Sequence, residues 1–144
     1  MPSCSLERHV PYSAEQMFDL VIDVERYQDF MSLEFSARII ERGTASVRAS
    51  QTMRIGPLSL KFESDASFQR PDWIRIESNS RPFSYFQIAW TFAGLGQGCN
   101  ISIRVDCTAH SPLLEALLAP WMETFAGNLV SAFERRAAEI YSHA

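Results

Sequence analysis

A chain of 144 residues, 47% hydrophobic and 21% charged, has the size and composition of one soluble globular domain spanning 1–144, with no room for a second. Thirteen Lys and Arg against seventeen Asp and Glu leave a net charge of -4, the wrong sign for binding nucleic acid by counterion release. Aromatic residues make up 12%, ten of them Phe, so large rings must fill a core, line a cavity or face a partner.

The three cysteines, Cys4, Cys99 and Cys107, are odd in number and lack CxxC spacing. They read as reduced thiols in a cytoplasmic protein rather than as a disulfide framework or zinc site. After Met1 there is no basic and then apolar leader, and no apolar run approaches the length of a membrane span, so secretion and membrane spanning are not expected.

In chain order, Ser3 to Val10 reads as a first strand ending at Pro11. Ser13-Ala14-Glu15-Gln16 matches a capping box, and Phe18, Val21 and Ile22 follow at helical spacing. Asp23 is expected to cap a second short helix carrying Tyr27 and Phe30, so two short helices occupy 14–31.

From residue 33 the period becomes two. Val47, Ala49, Gln51, Met53 and Ile55 alternate with Arg48, Ser50, Thr52 and Arg54, as in a half-buried strand. Leu60 to Phe68, Ile74 to Ile76, Phe86 to Phe92 and Ile101 to Cys107 repeat the pattern. Gly43-Thr44, Gly56-Pro57, Pro71-Asp72 and a Gly94 to Gly98 loop separate the runs, giving a meander of about six antiparallel strands. The last loop superficially resembles a dinucleotide motif, yet it joins two strands rather than a strand to a helix.

Pro112 suits the first turn of a final long helix after Ser111. Leu114, Leu118, Phe125 and Leu129 share one face, and Met122, Phe133, Ala137 and Ile140 continue it with a drift. A kink is expected near Pro120 and Gly127. The expected fold is α+β: a curved antiparallel sheet of about seven strands wrapped around a long C-terminal helix, with two short helices after the first strand. Such a sheet leaves space between itself and the helix for an apolar cavity.

Several strings lie in order along nearly the whole chain. They are Val10-Pro11-Tyr12-Ser13, the run from Phe18 to Tyr27, Arg81-Pro82-Phe83, Trp90-Thr91-Phe92, the run from Leu113 to Leu118, and the run from Ala132 to Ala137. Together they resemble the coenzyme Q-binding protein family, within the START-like helix-grip superfamily that also includes polyketide cyclases. The resemblance implies a bacterial or organellar lipid carrier for ubiquinone or a related isoprenoid. A bacterial branch is known instead as a ribosome-association toxin.

The expected binding residues are the inward-facing Gln51, Phe62, Ser64, Ile76, Ser78, Phe86, Ile88, Trp90 and Phe92, with Leu118, Met122 and Phe125 from the helix. Gln51, Ser64 and Ser78 interrupt apolar positions, and a buried polar group needs a partner. A quinone carbonyl is one such partner; water or backbone is the other. No cofactor is expected beyond a bound ubiquinone or similar lipid.

His9, His110 and His143 lack the spacing of a metal site, and Asp19 and Asp23, at i and i+4 like a carboxylate pair, read instead as a solvated helix face with Asp23 as the cap of the next helix. No nucleophile motif is present, and Arg135-Arg136 suits a helix C-terminus. A non-catalytic carrier is therefore expected ahead of a polyketide cyclase or aromatase, and ahead of a ribosome-binding module, which the acidic balance disfavours. Leu113, Leu117 and Trp121 widen the helix's apolar arc. With Pro120 they form either a gate making transient membrane contact, which would place the protein peripherally at a bilayer, or core covered by the sheet's open end.

Overall fold

The computed structural model describes residues 3–31, 35–55, 58–78, 80–81 and 83–141, and the side chains of Ile55 and Glu123 are outside the description. The expected Gly56-Pro57 turn, Pro82 and His143 also lie outside the described residues. Strand β1 (Ser3–Val10) leads into helix α1 (Ala14–Ile22) and a 3-10 helix (Val24–Asp29). Six strands follow: β2 (Phe35–Arg42), β3 (Ser46–Ile55), β4 (Leu58–Gln69), β5 (Trp73–Ser78), β6 (Phe83–Leu95) and β7 (Gly98–Ala109). Helix α2 (Pro112–Tyr141) completes the fold.

The seven strands form one antiparallel sheet in the order β1-β7-β6-β5-β4-β3-β2. The helices between β1 and β2 carry the chain from one edge of the sheet to the other. Inward alternation then builds the core in rows. Ile74 pairs with Trp90 and Trp90 with Ile103, while Ile76 pairs with Ile88 and Ile88 with Val105. Buried side chains of α2, among them Leu118, Met122, Phe125, Val130, Phe133 and Ala137, belong to the same core.

The helix starts form as their sequences dictate. Ser13 Oγ accepts from the Gln16 amide at 3.1 Å, and Gln16 Oε1 accepts from the Ser13 amide at 3.0 Å, closing the capping box. Ser111 Oγ accepts from the Leu114 amide at 3.1 Å, one turn into α2.

Three details depart from the sequence reading. Asp23 precedes the 3-10 helix without a side-chain capping bond, because its backbone (φ -84°, ψ 68°) is not that of an ordinary N-cap. The Gly94 to Gly98 loop is shorter than expected, since the ladder continues to the Leu95–Gly98 pair and leaves only Gly96 and Gln97 to turn. Gly96 adopts φ 65°, and a Cβ on Gly98 would lie 2.1 Å from the Val10 carbonyl oxygen, so both glycines are required. Ile140 is exposed, because the drift of the stripe has carried it off the buried face. Tyr141 packs there instead, its hydroxyl donating to the Gln16 carbonyl at 3.3 Å and its ring 6.2 Å from Tyr12.

Helix α2 passes through the exposed Pro120 as one uninterrupted element. Asp19, read as a solvated carboxylate, accepts both guanidinium bonds of Arg70 at 2.8 and 2.9 Å and ties α1 to the end of β4. Among the described residues, no helix is long and apolar enough to cross a membrane.

Candidate functional site

Between the concave face of the sheet and α2 lies a cavity of about 70 Å³. Every strand from β2 to β6 contributes to its wall: Phe35, Gln51 and Met53, Phe62, Ile76, then Phe86, Ile88 and Trp90. Phe125 and Leu129 of α2 close one side, and Val24, Tyr27 and Met31 cover another. A second void of about 20 Å³ adjoins it, lined in part by Val21, Ala49, Ser64 and Ile74. Val24, Tyr27, Gln51 and Ile76 line both spaces and so form the partition between them.

Three side chains bring polarity to the larger cavity: Gln51, Tyr27 and, through its indole N–H, Trp90. Gln51 is buried, and its Oε1 has no hydrogen-bond partner among the described residues. The register explains why: Gln51 stands between Ala37 on β2 and Phe62 on β4, and neither side chain has a polar atom to offer. Tyr27 is also buried, and its hydroxyl donates to the Val21 carbonyl. Burial, helped by the nearby negative charge of Asp23, pushes the Tyr27 phenol above its ordinary pKa and keeps it neutral. Its ring is fixed by Phe133 at 5.2 Å, Phe35 at 5.6 Å and Phe30 at 6.0 Å. Trp90 joins this group edge-on to Phe133 at 5.5 Å.

The structure brings together Gln51, Phe62, Ile76, Phe86, Ile88, Trp90 and Phe125 from the sequence-derived set. Ser64 faces the smaller void instead. Ser78 is turned to the opposite surface, where its hydroxyl donates to the Glu63 carbonyl; backbone supplies the partner that its buried position requires. Phe92 packs between Phe18 at 5.9 Å and Trp90 at 6.0 Å, in core rather than at the cavity wall. Leu118 and Met122 are likewise buried in core without lining the cavity.

Sequence reasoning did not place Val24, Tyr27, Met31, Phe35, Met53 or Leu129 at the site. For Met53 the signal was available, two residues beyond Gln51 on the same strand face. Leu129 stood on the recognised helical stripe. The segment from Val24 to Met31 reaches the cavity through a 3-10 helix that puts Val24 and Tyr27 on one face, a period of three over too few residues to stand out in the sequence.

A larger groove of about 500 Å³ opens on the outer side of the sheet near Arg48, Glu63, Asp65, Glu77 and Tyr85. Its lining is charged and exposed, with Arg48 Nε donating to Asp65 Oδ1 at 2.9 Å. Solvated pairs of this kind contribute little and need no ligand.

At the start of α2, Leu113 and Leu117 are 74% and 52% exposed. Trp121 is half-buried, its ring 4.2 Å from that of Phe125, which lines the cavity. Leu113, Leu117 and Trp121 thus stand four residues apart along α2, from two exposed side chains to one in contact with the cavity wall. No carboxylate, imidazole or thiol is among the described residues lining the cavity. The site is chemically suited to enclosing an apolar molecule and holding one polar end of it.

A sequence profile of the family described as polyketide cyclase / dehydrase and lipid transport matches residues 10–134. The ribosome association toxin RatA of Pseudomonas aeruginosa is 31% identical over 133 residues, covering 92% of each chain. The mitochondrial coenzyme Q-binding protein COQ10 homolog B of Xenopus laevis is 24% identical over 135 residues, which is 90% of this chain and 55% of that one. A START superfamily protein from Mycobacterium smegmatis has the same fold, with a TM-score of 0.80 over 96% of this chain and 98% of that one, at 17% identity.

Proposed function

This chain belongs to the polyketide cyclase / dehydrase and lipid transport family, and from that premise we propose that it binds and carries or chaperones a hydrophobic small molecule, an isoprenoid quinone such as ubiquinone or a related lipid, in the cavity between sheet and α2. The observation that carries this reading is the lining itself: apolar and aromatic on all sides, with Gln51, Tyr27 and the Trp90 indole N–H as its polar groups. Burial of apolar surface supplies the affinity and the polar groups orient one end. No cofactor is required.

The present volume sets a condition. A cavity of about 70 Å³ is roughly half of the ~150 Å³ that holds a benzene ring, and drug-sized ligands occupy about 300 Å³ or more. The walls must therefore part when a ligand binds. Met31 and Met53 line the cavity with unbranched, readily repacked side chains, and Trp121 sits behind Phe125. Leu113, Leu117, Pro120 and Trp121 form the gate through which cargo passes, by transient apolar contact with a bilayer, from a protein that is otherwise cytoplasmic.

Similarity to a ribosome association toxin across 92% of both chains favours a second reading, a ribosome-binding module that uses the same fold. Cosedimentation with ribosomes tests it directly. A cyclase is less well supported, because the cavity offers no acid–base pair.

The carrier reading is tested by titrating folded protein with a short-chain ubiquinone analogue while following tryptophan fluorescence, Trp90 being the indole at the cavity. Saturable quenching at one molecule per chain is expected in wild type, with weaker binding in Trp90→Phe. A folded protein that shows no saturable binding overturns the reading.

A further inference from the structure

We propose that the polar end of the ligand is a hydrogen-bond donor, a phenol, quinol or alcohol hydroxyl, and that Gln51 is the residue that selects it. This rests on the reading of the cavity as a hydrophobic-ligand site and specifies which chemistry that site prefers. Gln51 Oε1 is buried and unpartnered among the described residues, and Gln51 belongs to the partition between the two voids. Tyr27 stands on the same partition, and its single hydroxyl proton is already donated to the Val21 carbonyl. What the phenol oxygen has left is lone pairs. Neither oxygen therefore brings a free proton to the partition.

A quinone carbonyl is also an acceptor. Placed against Gln51 Oε1, it would set lone pair against lone pair; the Gln51 NH₂ or the Trp90 indole N–H could serve it as donor, but Oε1 would stay unpaired. A ligand hydroxyl makes the bond that Oε1 lacks, whereas an ether or carbonyl leaves the acceptor unsatisfied. For an isoprenoid quinone, the reduced quinol is the form that the cavity retains.

The test uses para-butylphenol and para-propylanisole, isomers whose oxygen does or does not carry a proton, titrated calorimetrically into wild type, Gln51→Leu and Gln51→Met. Near-ultraviolet circular dichroism establishes that each protein is folded, and the comparison in wild type needs no variant. Wild type is expected to bind the phenol about tenfold more tightly than the ether, equivalent to one buried hydrogen bond of ~1.4 kcal/mol, with the ratio falling towards one in both variants. Decylubiquinol under anaerobic conditions is expected to exceed decylubiquinone in the same way. Equal binding of phenol and ether by wild type overturns the proposal while leaving the hydrophobic-ligand reading intact. Tighter binding of ether or quinone overturns it by showing that a donor, the amide NH₂ or the Trp90 indole N–H, selects instead. A phenol preference that survives in both variants removes Gln51 as its source. Failure to bind any of the four probes overturns the proposal together with the reading beneath it.

Discussion

Replacing Gln51 by Met tests the cost of keeping a buried acceptor at the cavity wall. The two side chains have similar length and neither is branched, so the substitution removes polarity while nearly preserving volume. Gln51 Oε1 is buried without a partner, and Ala37 and Phe62 on either side offer apolar surface to the replacement. Leaving such a group unsatisfied costs about 1–3 kcal/mol, which Gln51→Met should recover as added stability in ligand-free protein. For a domain of this length that is a rise in Tm of roughly 4–12 °C, at roughly 4 °C per kcal/mol. Scanning calorimetry of delipidated wild type and variant measures it. A fall in Tm, or no change beyond error, would refute the reasoning by showing that water already satisfies Gln51 in full. The gain in stability should accompany a loss in donor selectivity, the trade expected where a strained polar group serves binding.

Phe92→Ala removes a ring held between Phe18 and Trp90, so it should lower stability by about 3–5 kcal/mol in denaturant titrations while leaving ligand affinity per folded molecule nearly unchanged. Trp90→Phe should do the reverse, weakening binding more than folding. Leu113→Ser with Leu117→Ser changes two exposed side chains and should reduce liposome flotation severalfold at unaltered Tm; equal flotation would remove the gate from the account. Burial pushes the Cys107 thiol up from 9.0 to about 11, and Cys99 in the same direction. A raised thiol pKa means that the folded chain holds its proton longer than the unfolded one. The stability it contributes is complete below about pH 9 and is lost as pH climbs towards 11. Urea titrations at pH 8 and pH 10.5 should show that loss, and Cys107→Ala should flatten it.

The fold was legible because its two periods are clean. Alternation from Val47 to Ile55 and from Ile101 to Cys107 reports one buried face of a sheet, and the capping signals at Ser13 and Ser111 fall where the helices begin. The drift that took Ile140 to the surface was legible in direction but not in extent, because a stripe says nothing of where the sheet beneath it ends. The strand half of the site was readable for the same reason as the sheet, since inward positions at one level of neighbouring strands must meet. Ser78 shows the limit of that inference. It alternates correctly, yet the end of β5 turns its hydroxyl to a backbone carbonyl across the sheet. Tyr27 and Met31 mark the other limit: the 3-10 helix aligns Val24 with Tyr27 but runs only from Val24 to Asp29, too short for its period of three to stand out, and the position of Tyr27 depends on Phe133 and Phe35, which are distant in sequence. The Gln51 position was visible as a polar interruption, whereas its lack of a partner depended on register with Ala37 and Phe62.

Native mass spectrometry of freshly purified protein, followed by lipid extraction and identification of the released species, tests the central claim most directly. The account predicts one non-covalently bound hydrophobic molecule per chain, carrying a hydroxyl at its polar end and lost on denaturation. Folded protein that emerges without such a mass, and that takes up neither a quinol nor an alkylphenol when these are supplied, would contradict it.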